Sequence, residues 1–464
     1  MADPITTGRQ ELLRLTIAGD RLSVTPEGML MIDAERADAL LERFGSPLYV
    51  AVESTIRENY QRILRAFTRR WPADVNVMYA IKTNNNLAIR AILSSEGAGG
   101  DCFGLGELHA TIAGGADLRR VVMNGSNKSR AEIAAAIARG IAINIDGMEE
   151  IALVQECAAA AGITARANLR LKLLPAALDA FSSEFFKTSD SIREAVRRSK
   201  WGYTVEHAAE LVRLIQAQPD VALIGYSAHL GRFSAAPDSY AVVGRAFGEA
   251  VLRLFAQTGF WPSMLDIGGG WARQREPESR APELNPFTID EYAEAATQAL
   301  RAALAPAGRA LPALWLEPGR YIVGNALVLL ARVGAIKRDD GLCWVHVDAC
   351  TNDLMRIETS KAWHHILPAS RMDAPMTERV EIVGGTCIPS ILAAQRAMPR
   401  LAPGDCVAIL DAGMYAEAIA NQFNAIPRPA TVLVSAQGSD VIKRRETIED
   451  VFATHVIPAR LRPA

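Results

Sequence analysis

A lysine at the end of an apolar run is the first residue that could do chemistry. Lys82 closes the segment Tyr-Ala-Ile-Lys, so we expect its ammonium to be partly removed from water. Desolvation lowers the pKa of an amine and makes it a better nucleophile toward a carbonyl. A lysine that extends from a strand end into solvent is the ordinary alternative. Lys82 alone therefore does not define a site.

Two glycine-containing segments further along the chain predict a phosphate site. LDIGGGW carries Gly268, Gly269 and Gly270, and EPGR covers residues 317–320. Glycines let backbone N–H groups approach a phosphate closely, although three glycines are by themselves more typical of a tight turn. Combined with Lys82, these segments indicate a cofactor that carries both a carbonyl and a phosphate.

The elements that must position these residues form an alternating pattern. Short apolar segments alternate with alanine-rich stretches of helical spacing, and this order predicts parallel strands joined by right-handed crossovers. Eight strands are predicted, at residues 77–82, 99–104, 120–125, 141–146, 166–173, 224–231, 263–270 and 313–320. Eight such units over roughly 270 residues fit a (β/α)8 or TIM barrel, whose reactive groups lie at the carboxyl ends of its strands. The notable polar and glycine residues fall at those ends: Lys82, Asp101, Asn124, Arg170, His229, Gly268 to Gly270, and Glu317 to Arg320.

A second domain is predicted after the barrel. The segments VLLARVGAIKR, LCWVHVDA, RVEIVGG, DCVAILDAG and PATVLVSA read as strands separated by turns, without a long helix between most of them. Residues 21–33 also predict strand, turn and strand. We therefore expect an α/β barrel over residues 46–325 and a β-sandwich or β-barrel domain over residues 326–464 that contributes to the active site. Residues 1–45 are expected to join this β domain.

Composition narrows the classes of function. Half of the residues are hydrophobic, and 50 Lys and Arg stand against 52 Asp and Glu, so nothing favours a nucleic acid or an anionic membrane as partner. The N-terminal segment lacks the features of a signal peptide, and no run of about 18 apolar residues could span a bilayer. Six cysteines without CxxC spacing suit reduced thiols rather than disulfides or a zinc site. We expect a cytoplasmic enzyme without a metal.

A series of ordered motifs resembles one enzyme family over roughly residues 25–450. The motifs are YAIKTNNN, DCFGLGEL, NGSNKS, SKWGY, SAHLG, LDIGGGW, EPGRYIV and DAGMYAEAIANQFNAIPRPATVLV. They are similar to those of the fold-type III pyridoxal-phosphate decarboxylases. Within that family they are most similar to the diaminopimelate branch, with ornithine- and arginine-type enzymes as cousins. The resemblance implies pyridoxal 5'-phosphate as cofactor, decarboxylation of an amino acid, and a homodimer with shared active sites.

The resemblance also implies a role for individual residues. Lys82 would hold the cofactor as a Schiff base, and His229 would stack on its ring. Glu317 would pair with the pyridine nitrogen and keep it protonated, so that the ring can accept electrons when CO2 departs. Cys387 would act across a dimer interface and supply the proton that replaces CO2. Further cofactor contacts are implied for Gly268, Gly269, Gly270, Gly319, Arg320 and Tyr415.

The segments expected to meet the far end of the substrate depart from the family pattern. Ile388 follows Cys387 where the family has an acidic residue that receives a distal ammonium. Arg232 stands in place of a serine that contacts phosphate, and the segment 348–365 adds three basic residues. Substrate contacts are implied for Arg320, Arg356, Tyr415 and Arg232, and the added basic residues are Lys361, His364 and His365.

Loss of an acid together with a gain of cations predicts a substrate whose distal part is anionic and rich in carboxylates. A citryl-diamino acid that serves as a siderophore precursor is one such substrate. If Asp353 or Glu358 supplies the missing acid instead, the substrate is meso-diaminopimelate, as in lysine biosynthesis. The sequence therefore favours the substrate with the anionic distal part, and meso-diaminopimelate is the alternative.

Two other functions share parts of this pattern. An amino-acid racemase of the alanine-racemase type has the same two-domain plan, but it places a cation at the pyridine nitrogen, which Glu317 disfavours. A non-catalytic pyridoxal-phosphate carrier resembles the barrel alone, which the domain bearing Cys387 and Tyr415 disfavours.

Overall fold

The computed structural model describes residues 6–181, 191–229, 235–276 and 283–462. The chain divides into two compact units. The β unit combines residues 1–55 with residues 325–464, and the barrel unit comprises residues 56–324. Within the described ranges, no helix has the length and apolar character that a bilayer crossing requires.

The strands and helices have the following bounds. The strands are β1 Leu22–Val24, β2 Leu30–Ile32, β3 Glu35–Arg36, β4 Leu48–Val52, β5 Val75–Ala80, β6 Gly99–Phe103, β7 Val121–Asn124, β8 Ala142–Ile145, β9 Ala165–Lys172, β10 Tyr203–Thr204, β11 Val221–Ser227, β12 Met264–Asp266, β13 Ala313–Leu316, β14 Leu327–Asp339, β15 Leu342–Val347, β16 Ile366–Leu367, β17 Glu378–Val383, β18 Ile391–Met398, β19 Cys406–Ile409, β20 Ala430–Ser435 and β21 Gly438–Lys443. The helices are α1 Gly8–Leu15, α2 Ala37–Phe44, α3 Glu53–Thr68, α4 Leu87–Ser95, α5 Gly104–Ala113, α6 Arg130–Ile137, α7 Met148–Ala161, α8 Ile192–Arg198, α9 Val205–Gln216, α10 Pro237–Thr258, α11 Ile289–Leu304, α12 Arg320–Val323, α13 Arg356–Ser360 and α14 Ile448–Phe452.

Eight parallel strands close the barrel. Their order is β5, β6, β7, β8, β9, β11, β12 and β13, and β13 pairs with β5 to complete the circle. The two-residue strand β10 pairs with β9 outside this circle. All eight strands predicted from the sequence are present, so the predicted (β/α)8 fold is confirmed.

The interior of the barrel changes from apolar to polar along its axis. Met78, Val122, Ala142, Met264 and Trp315, each from a different strand, form one buried cluster. Alternate residues of a strand point to the same face, so the next inward positions lie two residues further on. Four of these next positions are polar: Asn124, Asn144, Asp266 and Glu317. The sequence pattern of the strands thus places a polar layer at the carboxyl end of an apolar core.

The β unit is organised around β14, a strand of 13 residues. It pairs antiparallel with β4, β15 and β19, and β4 pairs on its other side with β20. Residues 46–55 are predicted from the sequence to belong to the barrel, but β4 lies in this sheet. All five residues of β4 are apolar and buried, as expected for a strand covered by neighbours on both sides.

All eight barrel strands end earlier than the sequence predicts, and two of them stop just before residues of the site. β5 stops at Ala80, and Lys82 lies in the 3-10 turn Ile81–Thr83 that follows. β12 covers only three residues, because Gly268 and Gly270 have φ angles of +70° and +85°, which an extended strand does not accommodate.

Candidate active site

The amine of Lys82 is paired with a buried carboxylate. Lys82 Nζ donates to Asp101 Oδ2 at 2.5 Å, and it lies 4.9 Å from the centre of the Phe103 ring. The Asp101 side chain is fully buried, whereas one third of the Lys82 side chain is exposed. The amine is therefore held in a fixed position, while part of the side chain stays exposed.

One amide joins Asp101 to the carboxylate of Glu317. Asn124 Nδ2 donates to Asp101 Oδ1 at 2.7 Å and to Glu317 Oε1 at 2.6 Å. Asn124 and Glu317 are 3% and 5% exposed, so these bonds form away from water. Four residues from the neighbouring strands β13, β5, β6 and β7, or from the turns that follow them, thus make one continuous polar cluster: Glu317, Lys82, Asp101 and Asn124.

Glu317 carries a high energetic cost for its negative charge. Burial, followed by the nearby carboxyls of Asp101 and Asp266, raises the pKa of Glu317 well above its ordinary value, and Lys82 opposes this rise. Burial also raises the pKa of Asp266 to about 6. A cation beside Glu317 would relieve this repulsion, and the protonated nitrogen of a pyridine ring is such a cation.

His229 lies beside this cluster as a neutral imidazole. Its Nε2 is 4.0 Å from Glu317 Oε2. Burial lowers the pKa of His229 well below its ordinary value, and the positive charges of Lys82, Arg170 and Arg320 lower it further. A neutral imidazole is suited to stacking on an aromatic ring.

The glycine segment after β12 passes very close to neighbouring backbone. A Cβ at Gly269 would lie 2.1 Å from the carbonyl oxygen of Glu317, and one at Gly268 would lie 2.7 Å from Cα of His229. The Gly268 N–H donates to Asp266 Oδ1 at 2.8 Å, so it is not free for a phosphate. No acceptor among the described residues takes the N–H of Gly269 or Gly270.

These features fit pyridoxal phosphate. The two amides of Gly269 and Gly270 could hold its phosphate, and Lys82, His229 and Glu317 have the chemistry that its carbonyl, ring face and ring nitrogen require. From the sequence, the amides of all three glycines are expected to bind the phosphate. Because the Gly268 amide already donates to Asp266, only the amides of Gly269 and Gly270 fit this role.

Gly319 immediately precedes the short helix α12, and Arg320 is the first residue of that helix. A Cβ at Gly319 would lie 1.9 Å from Thr83 Oγ1, so this position allows the close approach of two loops at the barrel mouth. Arg320 is 6% exposed, and its Nη1 is 3.8 Å from Glu276 Oε2. The structure thus brings both residues to the same end of the barrel as Lys82 and Glu317.

Some polar residues of the site are not identified in the sequence analysis. Asp266 precedes the glycines and caps Gly268, while Asn144 and Asn168 lie inside strands β8 and β9. Glu107 accepts the Phe103 N–H at 2.6 Å, and burial raises its pKa to about 7. The asparagines could have been identified from the sequence, because Asn124, Asn144 and Asn168 occupy equivalent positions in three successive strands. Polar residues are uncommon inside such strands.

Cys387 and Ile388 lie in a loop of the β unit. The loop is closed by the bond from Gly384 N–H to Ser390 carbonyl at 2.9 Å, and the Cys387 N–H donates to Asn424 Oδ1 at 3.0 Å. Cys387 is exposed, and Ile388 is half-buried. The backbone of the loop is therefore fixed, and it presents a thiol beside an apolar side chain.

Arg356 and Tyr415 meet within the β unit. The Arg356 guanidinium carbon is 5.3 Å from the centre of the Tyr415 ring, and Arg356 is 7% exposed. Tyr415 has a φ of +50°, which is rare for an aromatic residue and is maintained only where the surroundings fix it. The pair combines a cation and a phenol.

The added histidines do not supply positive charge in the way the sequence suggests. His364 is buried, its Nδ1 bonds to the carbonyl of Leu410 at 2.8 Å, and burial lowers its pKa to about 4. His365 is also buried and packs edge-on against Trp363. Only Lys361, at the end of α13, is exposed. The inference of a strongly cationic segment is therefore too strong.

The two alternative acids differ in availability. Asp353 is 4% exposed, and its Oδ2 accepts the Cys350 N–H at 2.9 Å, so its carboxylate already closes a turn. Glu358 is half-buried on α13. The predicted contact Arg232 lies outside the described residues.

Comparison with known proteins shows similarity over nearly the whole chain. Residues 53–324 match the family model described as the pyridoxal-dependent decarboxylase, pyridoxal binding domain. A diaminopimelate decarboxylase from Methanothermobacter thermautotrophicus is 34% identical over 445 residues, which cover 95% of this chain and 98% of that protein. The crystal structure of diaminopimelate decarboxylase from M. jannaschii is 30% identical, with a TM-score of 0.88 over 96% of this chain and 100% of that one. The same enzyme in complex with L-lysine gives a TM-score of 0.87 at 28% identity, again over 96% of this chain and 100% of that one.

Proposed function

The chain belongs to the pyridoxal-dependent decarboxylases and is a carboxy-lyase that uses pyridoxal 5'-phosphate, and we propose that its substrate is meso-diaminopimelate. The observation that carries this proposal is the extent of the similarity. The diaminopimelate decarboxylase relatives match nearly the whole chain, including the β unit in which the substrate end of the site is expected. The proposed product is lysine.

The residues of the barrel unit would bind and orient the reacting groups. Bound pyridoxal phosphate supplies an electron sink for the pair of electrons left when the carboxylate departs. Lys82 would hold the carbonyl carbon of the cofactor, with Asp101 as the partner of the amine. Glu317 would accept the hydrogen bond of the ring nitrogen, and the amides of Gly269 and Gly270 would anchor the phosphate far from the reacting carbon.

The β unit would supply the proton that replaces CO2. Cys387 carries an exposed thiol on a loop whose backbone Asn424 holds in place. We propose that the enzyme is a homodimer in which Cys387 of one copy serves the barrel of the other. All six cysteines of the chain are free, which supports placing the enzyme in the reducing cytoplasm.

A second substrate class is favoured by one observation. Ile388 occupies the position after Cys387 and offers no acid to a distal ammonium, and Asp353 is engaged with Cys350. A conjugate without that ammonium, such as a citryl-diamino acid, is therefore the second candidate. The neutral state of His364 weakens this candidate, because it removes one of the cations that an anionic substrate would meet.

A substrate panel separates the two candidates. The purified enzyme would be assayed for CO2 release from meso-diaminopimelate, L-ornithine and a citryl-diamino acid. Ile388→Glu restores an acid, and Ile388→Gln is the matched control of equal length without charge. We expect lysine to form from meso-diaminopimelate. Ile388→Glu, but not Ile388→Gln, should raise kcat/KM for meso-diaminopimelate about tenfold, which is the effect of one added ion pair of roughly 1.4 kcal/mol. Faster turnover of the citryl conjugate by the unmodified enzyme would reject meso-diaminopimelate as the substrate.

Mixing inactive variants tests the shared site. If each site combines Lys82 of one copy with Cys387 of the other, a heterodimer of Lys82→Ala and Cys387→Ala chains has one intact site. Subunit exchange of the two variants should then restore about a quarter of the original activity, since half of the dimers are mixed and each has one working site. No recovery after verified exchange would show that the two residues act within one chain or not at all.

A further inference from the structure

Three asparagines on successive barrel strands form a hydrogen-bonded series, here called the asparagine ladder. Asn168 Nδ2 donates to Asn144 Oδ1 at 2.9 Å, and Asn144 Nδ2 donates to Asn124 Oδ1 at 2.7 Å. Asn124 Nδ2 then donates to Asp101 and Glu317 at 2.7 and 2.6 Å. All three amides are at most 3% exposed. The ladder ends at Asn168, whose Oδ1 has no hydrogen-bond donor among the described residues.

The direction of the ladder is fixed by chemistry. Asp101 is ion-paired with Lys82, and an ionised carboxylate can only accept hydrogen bonds, so Asn124 must turn its NH2 group toward Asp101 and, with it, toward Glu317. Its carbonyl oxygen then faces Asn144, which must donate, and the same argument applies to Asn168. The positive ends of three amide dipoles therefore all point at the carboxylates. Hydrogen bonds in such a series strengthen one another.

Glu317 is the group that needs this support. Four charged or titratable groups surround Glu317. They are Asp101 in the middle of β6, Asp266 at the end of β12, Lys82 in the turn after β5, and His229 after β11. Two of these groups are acidic, and His229 is neutral. Burial and the two acids raise the pKa of Glu317, while a hydrogen bond donated to the ionised form lowers it.

We propose that the asparagine ladder is a positioning device that stabilises the negative charge of Glu317, with Asn144 and Asn168 acting only through Asn124. Asn144 and Asn168 are positioning residues, because they reach the carboxylate only through another side chain. The inference rests on the proposed role of Glu317 toward the ring nitrogen, and it does not depend on which amino acid is decarboxylated. Replacing Asn168, which reaches Glu317 only through the amides of Asn144 and Asn124, is thus expected to change the titration of Glu317.

The titration of Glu317 itself provides the test. The cofactor-loaded protein would be labelled with [5-13C]glutamate, and the Glu317 signal would be assigned by its loss in Glu317→Gln. We expect Asn124→Ala to raise the midpoint pH of this signal by about one unit or more and Asn168→Ala to raise it by about half as much. Asn168→Ser keeps a hydrogen-bond donor and should return the midpoint close to that of the unmodified protein.

Asn76 provides the matched control. It is an asparagine of the barrel interior, 6% exposed, that bonds to Arg120 at the opposite end of the strands. Asn76→Ala should leave the midpoint unchanged. A midpoint unaltered in Asn168→Ala, or raised equally in Asn76→Ala, would overturn the proposal. Failure to release CO2 from meso-diaminopimelate would reject the proposed substrate without altering any of these midpoints, so the two proposals fail separately.

Discussion

Replacing Gly269 by alanine is expected to weaken the binding of pyridoxal phosphate. The added methyl carbon would lie 2.1 Å from the carbonyl oxygen and 3.0 Å from the carbonyl carbon of Glu317. Ordinary contact begins at 3.4 Å, so the two backbone segments must separate by about 1.3 Å. Both atoms belong to the backbone, so no side-chain rotation can relieve the overlap. The separation displaces the Gly269 and Gly270 amides together with Glu317, the residue proposed to pair with the ring nitrogen.

The expected loss can be estimated from this displacement. Moving a binding group by about 1 Å costs about 10²-fold, so we expect the Kd for pyridoxal phosphate to rise about 10²-fold, or about 2.7 kcal/mol. The cofactor would be removed from the protein, and binding would be followed by titration of the visible absorbance. Gly106→Ala is the matched control, because its methyl would meet no atom within 4 Å and alanine is favoured over glycine in a helix such as α5.

Two results would refute this reasoning. A Kd for Gly269→Ala within about twofold of the unmodified protein would show that these amides do not anchor the phosphate. An equal loss in Gly106→Ala would show that the change reports general damage to the barrel rather than the geometry of the glycine segment.

Three further changes have defined outcomes. Lys82→Ala should abolish the absorbance of covalently held cofactor and nearly all CO2 release, and a retained band of full intensity would exclude Lys82 as the attachment point. Cys387→Ala should lower kcat about 10²-fold, as expected for loss of a general acid, whereas Cys157→Ala, a buried cysteine of the barrel unit, should leave kcat unchanged in the same assay. Burial lowers the pKa of His364 to about 4, so the folded protein binds fewer protons than the unfolded chain between about pH 4 and 6.5, and stability should fall as the pH falls through this window, by at most about 3 kcal/mol. In a plot of the unfolding temperature against pH, His364→Gln should lack this slope. The unmodified protein must be measured beside it, because burial raises the pKa of Asp353 to about 6, and the titration of Asp353 changes stability with the opposite sign.

Much of the barrel could be predicted because each of its strands carries its own evidence. The run from Val77 to Ile81 is apolar and is followed by five polar residues at 82–86, so both the strand and its functional end can be found locally. The positions of Lys82 and Glu317 follow from the same pattern, since each comes just after a strand. Their proposed roles toward the cofactor follow from the family resemblance.

Other parts depend on contacts that a local pattern does not contain. The strand Ile391–Met398 has the composition of a helix, with three alanines, and its pairing with β17 determines its conformation. Asn144 and Asn168 are single polar residues in separate strands, and only the register between β8 and β9 brings them opposite each other. The charge of His364 could not be predicted either, because burial rather than residue type makes it neutral.

The position of β4 in the sheet has a consequence for synthesis of the chain on the ribosome. β4 is made before its partners: β14 follows only after the roughly 270 residues of the barrel unit, and β20 is made later still. At roughly 5–20 residues per second, the segment Leu-Tyr-Val-Ala-Val waits between about 14 and 55 seconds for β14. Short apolar segments of this kind pair readily with other chains while they are exposed. Translation speed and chaperone supply should therefore affect the yield of the β unit more than that of the barrel, whose strands emerge in uninterrupted order.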